Sequence, residues 1–89
     1  MSGKQHFTLD HARRIGDTLG IDWSRFDVEQ FRMGLDVELE HGLREPSTDV
    51  TNNDPIITGK IALAHLNEYA DYYTRLGEME RVAAAERTR

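Results

Sequence analysis

Apolar residues in this chain recur at helical spacing, and no segment alternates with period two for long enough to make a strand. Start and stop signals cut that pattern into pieces. Thr8 is a natural N-cap for Leu9, Ala12, Ile15 and Leu19, and Gly20 stands where a helix ends on a glycine, which predicts a helix over 9–19. In the tight connector IDWSRF, Ile21, Trp23 and Phe26 are anchors for a small core. Asp27 with Gln30 three residues on is a capping-box pattern, opening a second helix over 28–41 that Gly42 should stop. Asp54 followed by Pro55 predicts a third helix over 55–68. A fourth segment, 71–85, carries Tyr72, Leu76, Met79 and Ala83 on one face, and nothing at 69–70 breaks a helix by itself. The expected fold is therefore all-α, a small single-domain bundle of three to four helices.

Residues 1–89 are too few for more than one domain, and a chain of this size has a small core. A frayed arm is expected over 1–7, a long loop over 43–54 and a frayed tail over 86–89. The predicted core is Phe31, Leu35, Leu39, Ile57, Ile61 and Leu76, with Trp23 covering one end. With 38% apolar and 30% charged residues the composition is that of an ordinary folded protein. The net charge of −5 and the scatter of the basic residues argue against a nucleic-acid partner. No uncharged apolar run exceeds the length of Ile61–Ala64, far too short for a bilayer, and no signal-peptide pattern opens the sequence, so a cytoplasmic location is expected. There is no cysteine, so a metal would have to be held by nitrogen and oxygen.

The second helix poses a specific problem. Its apolar stripe is Val28, Phe31, Leu35 and Leu39, yet Glu38 falls within that stripe and His41 lies at its edge. On the third helix Ile57, Ile61 and Ala64 lead straight into His65 and Glu68. Each helix thus carries a Glu and a His three apart on its inner side, close enough to share one ligand. Antiparallel packing would bring Glu38 level with Glu68, and His41 level with His65. A buried carboxylate needs compensation. One solution is a divalent zinc, iron or manganese ion on Glu38, His41, His65 and Glu68, as in bundles built from Glu and Glu-x-x-His ligands. A second is a closed network in which protonated histidines neutralise the glutamates, joined by Tyr69, Tyr72 or Tyr73. A third places these residues at a wet rim.

His6 and His11 are expected at the surface. The far side of the third helix carries Ile56, Leu63 and Leu66, which suits either a central helix wrapped by the others or self-association as a homodimer.

The runs FRMGLDVELEHG and TNNDPIITGKIALAHLNEYADYYTRLGEME resemble a family of short bacterial and phage proteins known as a domain of unknown function. The likeness covers about residues 7–80. It implies one small helical unit with a block built on these Glu, His and Tyr positions, and it brings no activity with it. Ala70 departs from the expected pattern, where such a sequence would carry proline. The leading expectation is a small helical protein that binds a divalent metal. The rival is a metal-free interaction or structural module, dimeric or phage-associated. An enzyme ranks last: there is no nucleophile motif, phosphate loop or dinucleotide fingerprint, and a substrate cavity is hard to fit in so small a bundle.

Overall fold

The computed structural model describes residues 6–44, 47, 49 and 54–87. Four helices follow in order, α1 (Leu9–Leu19), α2 (Val28–Arg44), α3 (Pro55–Glu68) and α4 (Tyr72–Arg87), and the described residues contain no strand. No helix among them is long and apolar enough to cross a membrane. Residues 1–5 of the expected arm, most of the expected loop (45, 46, 48 and 50–53) and residues 88–89 of the tail lie outside the described residues.

Three helix starts form as their caps predict. The Thr8 hydroxyl accepts from the His11 N–H at 3.0 Å, and Asp27 Oδ1 accepts from the Gln30 N–H at 3.0 Å. Asp54 Oδ1 accepts from the N–H groups of Ile56 and Ile57 at 2.8 and 3.2 Å, with Pro55 as the first helical residue. These bonds satisfy donors that have no partner inside the helix. Gly20 ends α1 in the left-handed region at φ 77°, which only glycine enters without strain.

Two signals act differently from their sequence reading. Gly42 does not stop α2, which runs on to Arg44. A Cβ at Gly42 would come within 2.8 Å of Asp49 Oδ1, so the glycine makes room for a contact instead of turning the chain. Gln30 forms only half of the capping box: its side-chain amide donates to the Thr74 hydroxyl at 2.7 Å and ties α2 to α4. Between α3 and α4 the chain does break, at an extended Tyr69 (φ −140°, ψ 117°), without a proline at 70.

The core consists of Ala12, Ile15, Ile21, Phe26, Phe31, Leu35, Ala62, Leu66 and Tyr73. Trp23 lies edge-on to Phe26 and Phe31, and its indole N–H donates to Asp17 at 2.9 Å. Of the predicted core, Phe31, Leu35 and Leu39 are buried. Ile57 is 41% exposed, and Ile61 and Leu76 are half-buried. The face that α3 presents inward is Thr58, Gly59, Ala62 and Leu66. Because α3 is apolar nearly all round, hydrophobicity cannot choose its inner face, and residue size does. A Cβ on Gly34 of α2 would lie 2.9 Å from the Ala62 Cβ and 2.5 Å from the Tyr73 ring, so α2, α3 and α4 meet where one of them has no side chain. Leu66 is buried in the single chain, and Ile56 and Leu63 pack against the core. Both α2 and α3 touch all the other helices, making a central pair and not a single wrapped helix.

Candidate functional site

The contacts between α2 and α3 step in the same order along both helices: Phe31 with Gly59, Gly34 with Ala62, then Glu38 with His65. Glu38 is thereby answered by His65 and not, as an antiparallel register would have it, by Glu68. Its side chain is 13% exposed and that of His65 33% exposed, and Glu38 Oε2 lies 3.0 Å from His65 Nδ1.

Tyr73 completes the cluster from the first turn of α4. Its hydroxyl donates to Glu38 Oε2 at 2.8 Å and lies 3.0 Å from His65 Nδ1. A phenol has one proton to give, and here it goes to the carboxylate. The Tyr73 oxygen can then meet His65 only as an acceptor, which puts a proton on Nδ1, shared between the Tyr73 and Glu38 oxygens. In a neutral ring this leaves Nε2 with the lone pair. Burial first, and the bond to the Glu38 carboxylate second, push the Tyr73 hydroxyl far above the usual tyrosine range. Tyr72 stacks on the His65 ring with centroids 4.5 Å apart and planes 9° from parallel, which fixes the imidazole in its plane.

The other sequence candidates are solvent-exposed. His41 and Glu68 are both exposed. Tyr69 is exposed, with the Arg75 guanidinium 5.5 Å from its ring centroid. The structure thus brings together two of the four candidate ligands and two of the three tyrosines. Among the described residues, no group of three or more His, Asp or Glu side chains could hold a metal ion. Chemically, the cluster can hold a proton at a fixed nitrogen and cross-link three helices. A groove of about 290 Å³ between His11, Arg14, Ile15, Thr18 and Ile56 does not include the cluster, nor does one of about 160 Å³ between the α1–α2 connector, Leu63 and Asn67.

A second polar cluster was not anticipated from the sequence. Asp36 accepts from the Phe7 N–H at 2.8 Å and from Arg32 at 2.9 Å, with His6 Nδ1 at 3.1 Å. Arg32 also forks onto both oxygens of Glu29, at 2.8 and 2.7 Å, and these bonds hold the Glu29 carboxyl below its ordinary range. The cluster pins the chain before α1 onto α2. Its signal was the spacing of Glu29, Arg32 and Asp36, three and four apart on one helix. His6 and His11 are exposed, as expected.

No curated protein and no solved structure matches the chain. The model of one family, described as a protein of unknown function (DUF5661), matches residues 12–82. That span takes in all of α2 and α3 together with Glu38, His65 and Tyr73, and the chain belongs to that family.

Proposed function

We propose that this domain is a small helical interaction module in which Glu38, His65 and Tyr73 form a closed, metal-free network locking α2, α3 and α4 together. One observation carries the reading: the Tyr73 hydroxyl donates to Glu38 at 2.8 Å and lies 3.0 Å from His65 Nδ1. The chain itself supplies the donors that a largely buried carboxylate needs. The reading includes a cytoplasmic setting, in keeping with a chain that has no cysteine.

The convergence of Glu38 and His65 at 3.0 Å also favours a second reading, a zinc, iron(II) or manganese(II) ion on that pair with His41 and Glu68 turned in to complete the set. Thermal melting of untagged protein, with each metal and with a chelator, separates the two, together with Glu38→Gln and Tyr73→Phe. A closed network predicts no response to metal or chelator, a lower Tm for both variants, and a double variant less destabilised than the sum, because the two side chains share one bond. A stoichiometric metal that raises Tm, lost in Glu38→Gln and kept in Tyr73→Phe, would overturn the network in favour of the metal site.

A further inference from the structure

Only the start of α4 is seated on the bundle. Tyr73 is its one buried residue, with Tyr72 and Leu76 packed against the core. From Gly77 to Arg87 every residue is exposed. A Cβ on Gly77 would meet nothing within 4 Å, and the molecule measures 44 Å along its longest axis against 27 and 25 Å. The projecting part is roughly 16 Å long at about 1.5 Å per residue. So short a helix gains little stability from its own hydrogen bonds and relies on packing.

The projection carries a patterned stripe. Met79 and Val82 are 62% and 55% exposed. With Arg75 and Glu86 they form a row, Arg75, Met79, Val82, Glu86, spaced four, three and four residues apart, the spacing of a coiled-coil seam. The spacing reads the same from either end, while the charges at the two ends are opposite.

We propose that a second copy of this chain covers the stripe, with the two α4 helices antiparallel about a twofold axis between Glu80 and Arg81. Met79 then packs on Val82 of the partner subunit, and Arg75 faces Glu86 of the partner subunit, each contact occurring twice. A parallel pair would set Arg75 against Arg75 of the partner subunit and Glu86 against Glu86 of the partner subunit, so charge selects the antiparallel arrangement. Arg75, 66% exposed, donates through Nε to Asp71 at 2.7 Å within its own helix, and the proposed contact uses its terminal guanidinium nitrogens. Glu78 and Arg81 pair within their own helix at 3.4 Å, on the flank of the row. The chain as a whole carries −5, which opposes self-association, but residues 75–87 hold three arginines and three glutamates and are balanced. The seam is short, and the dimer belongs to the weak, concentration-dependent class.

This inference deepens the reading of the domain as an interaction module by naming its partner, and its test is separate from the melting experiments, which report on Glu38, His65 and Tyr73 alone. Sedimentation of the full chain between about 10 µM and about 1 mM brackets a weak dimer. Wild type should pass from monomer to dimer in that range. Arg75→Glu and Glu86→Arg should each weaken the dimer about tenfold, because each change turns two attractive contacts into repulsive ones. The double variant R75E/E86R should recover it to within about threefold of wild type. M79K/V82K should abolish it while the circular dichroism of the monomer stays the same. A wild type that remains monomeric overturns the proposal and leaves the stripe to a different protein. A dimer that ignores the charge swaps, or that the double variant fails to restore, also overturns it and moves the interface to another face.

Discussion

The crossing of α2 with α3 and the outer half of α4 treat apolar and polar residues in opposite ways. At the crossing, Gly34, Thr58, Gly59 and Ala62 are buried and a glutamate and a histidine lie beside them. Along outer α4, Met79 and Val82 stand in the open. Hydrophobicity alone would have exchanged these fates. Small residues let the α2 and α3 backbones approach, and the close approach creates the buried volume. The polar groups are tolerated there because Tyr73 supplies what they need. On α4, beyond the point where Tyr73 meets Gly34, the next glycine is Gly77, where a Cβ would meet nothing within 4 Å, and the helix leaves the bundle.

Substitutions can break this contrast at either end. The largest effect should come from Leu35→Ala, beside the crossing, at about 2–5 kcal/mol in a fully packed site. Chemical denaturation of the monomer would measure it, and a loss near zero would mean that the crossing is loosely packed.

Tyr73→Phe should cost about 1–3 kcal/mol, because Glu38 loses one of its two donors while it stays largely buried. The same residue sets an alkaline limit. Tyr73 ionises far above the ordinary range in the folded chain, whereas an unfolded tyrosine ionises near pH 10. Its contribution is therefore fully present below about pH 10 and is lost as pH rises beyond it, since the folded form holds the extra proton. Wild type should lose stability across that window more steeply than Tyr73→Phe, and equal slopes would show that the hydroxyl is not held as described.

Asp54→Ala should lower stability by about 0.5–2 kcal/mol through loss of the α3 cap, read as a shift in Tm. An unchanged Tm would mean that Asp54 does not hold the first turn of α3. The smallest effect belongs to outer α4: Val82→Ser should stay within about 0.5 kcal/mol in dilute monomer. A larger loss there would mean that the helix folds back onto the bundle in solution.

Much of the fold was legible in local chemistry. Thr8, Gly20, Asp54 and Pro55 fix helix ends through bonds made within a few residues, so their sequence reading needed no tertiary knowledge. Gly42 and Gln30 were misread because each serves a distant residue, Asp49 in one case and Thr74 in the other. The inner face of α3 was illegible for a related reason. With apolar residues on every side, its orientation is decided by the size of what it meets, and the reading that put Ile57 and Ile61 inside lacked that information. At the candidate site, Glu38 was recognised as inward-facing from its place in a stripe. His65 and Tyr73 were among the candidates to answer it, and which of the candidates do so depends on a crossing register that helix periodicity does not contain.

The single buried anchor of α4 also sets an order of local opening. Buried Tyr73, half-buried Tyr72 and Leu76, and the bond from Gln30 to Thr74 hold a sixteen-residue helix, while α1, α2 and α3 share the rest of the core. Amide exchange should therefore report two cooperative units, with α4 opening at lower free energy than the three-helix remainder. When α4 lifts from the extended residue Tyr69, Glu38 and His65 lose their phenolic partner in the same event. Full solvent access to that carboxylate is thus governed by the opening equilibrium of a neighbouring helix.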